Sequence, residues 1–223
     1  GPADPEQADQ IEIGMKGDFA DGRLRANITG FFTVYDEIQR TTNGEDALGN
    51  PLQLLRNAAE AEIPGMEAEL TWLPTDRLML MAGIGWIDPE FKKFTGLNLG
   101  AATDQENEAL AKELEFERVP DFEYTVTGEY RVPMTDSGDL IFRGQYAWRD
   151  GFYTDVTNNE LRTIDDYGIL DASVRFENEK WRVSLWGRNL TEENYADIIS
   201  AAFNYQRFGG QARTYGVEVG YRF

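Results

Sequence analysis

Along most of this 223-residue chain, apolar and polar side chains alternate with a period of two, the spacing of an extended strand with one oily and one wet face. From Gln10 to Phe19 the oily set is Ile11, Ile13, Met15 and Phe19. From Arg23 to about Arg40 it is Leu24, Ala26, Ile28, Phe32 and Val34, and from Glu60 to Leu73 it is Met66, Ala68, Leu70 and Trp72. Leu78 to Trp86 alternates less, because Met79, Met81, Gly83 and Gly85 make the second face unpolar too, as if to pack on something. The alternation resumes at Phe122–Arg131, Leu140–Arg149, Leu170–Phe176, Trp181–Arg188 and Thr214–Phe223.

The pattern predicts nine strands whose connections alternate between short and long. Short turns fall at Ala20–Gly22, Pro74–Asp76, Val132–Asp139 and Asn178–Lys180, each carrying Gly, Pro, Asn or Asp. Long loops are expected over Thr41–Ala58, Phe94–Pro120, Asp150–Asp166 and Leu190–Arg213, the second with a short surface helix within Glu106–Glu115. In an up-and-down barrel this places every short turn at one rim and every long loop at the other. Aromatics gather at both ends of the strands, with Trp72, Tyr130, Trp181, Tyr221 and Phe223 beside the short turns and Tyr35, Trp86, Trp148 and Tyr167 beside the long loops. Two such belts suit a lipid-facing band, since indole and phenol rings prefer the interface. A soluble β-sandwich would bury the oily face and is the weaker reading.

Hydropathy agrees. No stretch is apolar for the roughly 18 residues that a spanning helix needs, and the run Leu78–Ile87 is long enough to cross as a tilted strand of roughly 9–11 residues. No signal peptide heads the sequence, although an exported protein would have carried one before processing. Composition then narrows function. With 40 acidic and 21 basic residues the net charge is −19, which argues against a nucleic-acid partner. The chain has no Cys and no His, so thiol and imidazole chemistry are excluded, no cofactor or metal is expected, and an enzyme is the weakest class. Asp165 and Asp166 could hold Ca²⁺, but adjacent loop acids more often form a solvated turn.

Several motifs carry a family resemblance. Gly1–Lys16 ends in Glu-Ile-Gly-Met-Lys, Ile28–Gln39 reads Ile-Thr-Gly-Phe-Phe-Thr-Val-Tyr-Asp-Glu-Ile-Gln, and Asn57–Glu69 contains Asn-Ala-Ala followed by Gly-Met-Glu-Ala-Glu. Gly187–Tyr195 reads Gly-Arg-Asn-Leu-Thr-Glu-Glu-Asn-Tyr, and Arg213–Phe223 ends the chain on Tyr-Arg-Phe. In this order and spacing the chain resembles the C-terminal part of the β-barrel of a TonB-dependent outer-membrane receptor. In that family the final strand, here Tyr215, Val217, Val219, Tyr221 and Phe223, closes the barrel and serves as the assembly signal.

The resemblance implies an all-β fold, a transmembrane antiparallel up-and-down barrel of which residues 1–223 supply about nine C-terminal strands. The family barrel has about 22 strands around a plug, and natural barrels use even counts. The plug, the TonB-engaging motif and the earlier strands are therefore expected outside this chain. Function is implied as binding a scarce large nutrient at the cell surface, a ferric siderophore first, and importing it with TonB-derived energy. A passive porin and a structural or adhesion barrel are the alternatives. Expected partners are the rest of the barrel and plug, the TonB complex, outer-membrane lipid and lipopolysaccharide, and the ferric siderophore. For an anionic chelate, residues combining donors and aromatics near the long loops are the candidates: Trp148, Arg149, Tyr153, Tyr205 and Arg207.

Overall fold

The computed structural model describes residues 3–45, 51–134, 137–200 and 206–223. Strands β1 (Gln7–Phe19), β2 (Leu24–Glu45), β3 (Pro51–Thr75) and β4 (Leu78–Ile87) follow one another as antiparallel neighbours. Beyond β5 (Glu90–Phe94) the sheet continues through β6 (Phe122–Pro133), β7 (Asp139–Arg149), β10 (Tyr167–Glu177), β11 (Trp181–Arg188) and β14 (Thr214–Tyr221). Nine strands thus run in sequence order, with β1 and β14 each hydrogen-bonded on one side only among the described residues. The ladder is an uninterrupted antiparallel meander, as the alternation of short turns and long loops required.

The turns follow from local chemistry. Ala20, Asp21 and Gly22 all take positive φ (52°, 55° and 81°), the conformation that turns a two-stranded ribbon without splaying it. At the fourth short turn the Asn178 side-chain oxygen accepts from Lys180 N at 3.0 Å and Trp181 N at 2.7 Å. An Asn in this position replaces strand pairing with its own side chain.

Register puts the apolar set on one face. Val126 lies level with Ala82, Tyr146 and, through Tyr146, Leu170. Farther along, Leu185 faces Val217 and Val183 faces Val219. These side chains are not covered: Ile13 is 81% exposed, Tyr215 67%, Val217 64% and Val219 61%. In water such a surface would be a large penalty, at about 25 cal/mol per Å²; against acyl chains it is the ground state. Trp148 stacks on Tyr124 (centroids 5.7 Å apart) at the long-loop end, and Trp181 meets Tyr221 (4.7 Å) at the short-turn end. Two residues depart from the expected girdle. Tyr35 pairs in register with Ala61 and bonds to Glu6 at 3.0 Å, and Tyr167 lies level with Arg149, so both belong to the polar face.

Three glycines of the nine-stranded sheet meet aromatic rings so closely that a Cβ could not be added. A Cβ at Gly65 would lie 2.2 Å from the Phe31 ring, at Gly216 2.2 Å from the Trp186 indole, and at Gly168 2.0 Å from the Tyr146 hydroxyl.

Of the expected loop over Thr41–Ala58, the described residues Thr41–Glu45 and Pro51–Ala58 are instead strand. Beyond the lipid-crossing part, β2 and β3 continue to pair, with a bulge between Tyr35 and Ile38, until Glu45 faces Pro51. There Ile38, Ala58, Ala59 and Ala61 are buried under later segments of the chain instead of facing lipid, so the period-two signal that lipid imposes is lost while the backbone still gains from pairing. β5 adds to the same projection, with Phe94 opposite Ala59 and Lys93 opposite Glu60. The helix α1 covers Asp104–Ala111, two residues earlier than the expected Glu106 start. Thr103 and Glu106 form a reciprocal capping box that fixes its beginning. Two small ladders were not expected: β8 (Phe152–Tyr153) with β9 (Thr163–Ile164), and β12 (Ala196–Ser200) with β13 (Gln206–Gly209).

The buried apolar cluster lies in this projection, not between sheet layers. Ile38, Ala59, Ala61, Phe91, Phe94 and Ala111 form it. Phe91 stacks on Phe116 at 4.1 Å, closing the cluster from the loop that follows α1.

The face assignment has a direct consequence. In the intact receptor, Val126→Arg is expected to destabilise folding into lipid vesicles by about 2–4 kcal/mol. Thr125→Arg, one residue away on the polar face, is expected to change it by about 0.5 kcal/mol. Urea titration of vesicle-inserted protein measures both, and equal effects would overturn the assignment.

Candidate functional site

The polar face carries rows of side chains set by register. In one row Glu67, Gly85, Glu123, Arg149 and Tyr167 lie side by side across five strands. The next row holds Glu69, Gly83, Thr125, Ala147 and Ile169. Together they bound a hollow of about 420 Å³. Nothing stands within 4 Å of a Cβ built on Gly83, so the expected packing against the unpolar inner face of β4 does not occur there among the described residues. Carboxylates flank one side of the hollow, where Asn27 donates to Glu69 at 3.3 Å.

Arg149 closes the other side. Its guanidinium sits 4.9 Å from the Phe152 ring centre and 5.8 Å from that of Tyr167, and it reaches the Tyr167 hydroxyl at 3.5 Å. Its Nε is buried without a hydrogen-bond partner, and among the described residues no carboxylate lies within ion-pair distance of it. A guanidinium held over aromatic faces loses little mobility on binding a planar anion and keeps its fork of donors for it. A second hollow of about 280 Å³ lies between Arg143, Asp171, Ser173, Trp186, Arg188 and Glu218. There Arg188 stands 5.3 Å from the Trp186 ring. Neither Trp186 nor Arg188 was among the sequence candidates; the available signal was an aromatic in the wet set of its strand.

The other candidates divide. Tyr153 pairs with Thr163 in the β8–β9 ladder, and its carbonyl accepts from Arg118 N at 2.7 Å. Arg207, on β13, donates to the Thr163 carbonyl at 3.2 Å and lies 3.6 Å from Asp165. The structure therefore brings Tyr153 and Arg207 to one place, beside the Phe152 that supports Arg149. Trp148 is on the apolar face with Tyr124, opposite in parity to Arg149. Tyr205 lies outside the described residues. Asp165 faces Arg207, and among the described residues no group of three acidic side chains is disposed to hold a metal ion.

The loops are anchored at their roots. Asn189, 2% exposed and at φ +49°, accepts from Glu193 N at 2.7 Å. It donates to the carbonyls of Glu193 (2.8 Å) and Gln211 (2.9 Å), while its own N–H donates to Asp171. Tyr195 then stacks on Tyr167 at 4.2 Å, tying the fourth loop to the row that holds Arg149.

Residues 1–190 match the family described as TonB dependent receptor-like, beta-barrel. The chain belongs to the TonB-dependent receptors. It is a β-barrel portion of an outer-membrane receptor, and the family consists of transport receptors. In sequence it is 25% identical over 224 residues to the ferric-pyoverdine 358 receptor of Pseudomonas putida, covering 100% of this chain and 25% of that protein. In structure it resembles the ferric yersiniabactin uptake receptor FyuA of Yersinia pestis, with TM-score 0.75 and 20% identity, over 98% of this chain and 30% of that one. The siderophore receptor PiuA of Acinetobacter baumannii aligns with TM-score 0.74 and 24% identity, over 97% of this chain and 28% of that one. The chain thus spans about a quarter of the length of the relatives it matches.

Above the wall of the receptor, several carboxyls are perturbed. Burial raises Asp121 above its ordinary 3.8, and the nearby Asp150 and Asp88 add to the shift. Burial also raises Glu115 above 4.5, with Asp121 and Asp150 contributing. Burial pushes Asp155 upward as well, but two hydrogen bonds from Thr157 and the charge and hydrogen bond of Arg162 outweigh it, leaving Asp155 below 3.8. Asp121 and Glu115 hold their protons more tightly folded than unfolded, so their region gains stability as pH falls through the raised values toward 3.8 and 4.5. Asp155 acts oppositely, and only below 3.8. Hydrogen exchange of residues 115–121, measured against an unstructured peptide, is expected to slow as pH falls through the raised values toward the ordinary 4.5 and 3.8. Asp121→Asn should flatten that dependence; an unchanged slope would show that these acids do not govern it.

Proposed function

We propose that this chain supplies part of the wall and mouth of a receptor that binds a ferric siderophore at the cell surface and passes it to the periplasm with TonB-derived energy. The single observation that carries the reading is Arg149, fixed between Phe152 and Tyr167 at the edge of the 420 Å³ hollow and, among the described residues, in no ion pair although Glu123 lies level with it. A ferric chelate with anionic donor groups offers such a guanidinium both charge and a planar surface. The relatives named for ferric-pyoverdine and ferric yersiniabactin support the same substrate class. With no His or Cys in the chain, the guanidinium, phenol and carboxylate groups present suit recognition and passage of a chelate.

In this reading β1 and β14 pair with further strands of the same receptor, because backbone groups left open to lipid are strongly unfavourable. The carboxylate side of the hollow and the remaining charges of the polar face then line the lumen around a plug. Lipid and lipopolysaccharide cover the apolar face.

Binding of a panel of radiolabelled ferric siderophores to the intact receptor in membranes tests this. Arg149→Ala and Arg207→Ala are each expected to weaken the best-bound chelate about 10- to 100-fold, the range for one charge-assisted contact. Arg131→Ala, at the short-turn end, should leave affinity unchanged. If no chelate binds, or both loop-end variants bind as well as wild type, the assignment is wrong.

A further inference from the structure

The loops at the mouth are tied to one another by a small number of contacts, and the chemistry of one tie sets it apart. From the β2–β3 hairpin, Arg40 reaches Glu117 at 3.3 Å and stands 5.9 Å from the Phe91 ring, joining the hairpin to the loop after α1. At the far side, Arg207 donates to Thr163, joining the β13 hairpin to the β8–β9 loop. Between them, across 43 residues of sequence, Asn158 accepts from Glu115 N at 2.7 Å and donates to the Glu115 carbonyl at 3.0 Å.

That pair of bonds is a peptide-like clasp. A carboxamide presents one donor and one acceptor side by side, so it engages the N–H and C=O of a single residue as an adjacent strand would. Among the described residues the same device occurs twice more, Asn57 on Asp4 (2.7 and 2.8 Å) and Asn189 on Glu193, and of the three Asn158 is the one that clasps one long loop to another. Its presentation is fixed in advance. Asn158 sits at φ +50°, and its N–H donates to the Asp155 carbonyl at 3.2 Å. The Asp155 carboxylate in turn accepts from Thr157 N and Oγ1 and pairs with Arg162 at 2.8 Å.

We propose that Asn158 is a positioning residue that makes the mouth one mechanical unit: together with the Arg118 N–H bond to the Tyr153 carbonyl (2.7 Å) and Val156 packed on the apolar cap, its clasp holds the β8–β9 loop, and with it Thr163 and Arg207, to that cap on β2–β3. The functional meaning of this coupling rests on reading Arg149, Tyr153 and Arg207 as the substrate mouth; the coupling itself can be measured with no ligand present.

The test is hydrogen exchange with mass spectrometry on the intact receptor in lipid nanodiscs. Asn158→Gly keeps the left-handed backbone and removes both bonds, and is expected to raise the open population about 30-fold. Asn158→Asp keeps the acceptor and drops the donor, and should raise it about 5-fold. A purely local role would accelerate exchange only in peptides around residues 113–118 and 155–162. Coupling also accelerates the β13 hairpin at Gln206–Gly209, while β6 and β10 stay as in wild type. Acceleration confined to the two local segments, or absent from both, overturns the proposal. Should the glycine variant not assemble, the aspartate variant decides by the same pattern at its smaller amplitude. Loss of chelate binding with this pattern intact would count against the substrate reading alone.

Discussion

The antiparallel backbone ladder is the constraint on which everything else depends. In hydrocarbon a peptide group has no water to bond to, so each strand must find its partners in the neighbouring strands. The continuous antiparallel pairing between β1 and β14 meets that demand for every strand between them. It also decides where side chains can go, since one face must be oily and the other is free to carry charge. The rows that place Glu67, Glu123 and Arg149 side by side are by-products of this hydrogen bonding. Function is assembled on positions that the ladder sets for other reasons.

Above the lipid the rules change. Water can satisfy loose backbone, so order there has to come from elsewhere: the Phe91, Phe94 and Ala111 cluster, the aromatic stack of Tyr167 on Tyr195, and asparagine side chains standing in for missing strands. The buried apolar centre of the chain lies outside the membrane-facing wall, the reverse of a soluble barrel. The loops gain a small core of their own because the β2–β3 hairpin projects far enough to give them something to pack on.

This division explains what could be read from sequence. The nine crossings were legible because lipid on one side and an aqueous interior on the other enforce a period of two, down to the place of Arg149 on the wet face. The continuation of β2 to Glu45 was not, because beyond the bilayer no lipid imposes such a period. The two-residue ladder of Phe152–Tyr153 is too short to show one, and the capping box at Thr103 fixes α1 earlier than propensity alone suggests. Trp148 was chosen as an aromatic near the long loops, yet its place in the strand turns it to the apolar face with Tyr124, away from Arg149. Asn158 stands in a polar run whose composition reads only as loop; its clasp on Glu115 exists in three dimensions alone.

The rings that lie over Gly65, Gly168 and Gly216 do something that polarity cannot. A strand that shifts by one residue turns its oily side inward, and the bilayer rejects it. A shift by two keeps every face correct and would pass unnoticed on hydrophobicity alone. Such a shift would set Phe31 against Ile63 or Glu67, and Trp186 against Thr214 or Glu218, where a side chain already fills the space that the ring needs. The vacant α-carbons act as keyholes, each admitting its ring at a single setting, so the alignment of the wall is specified twice.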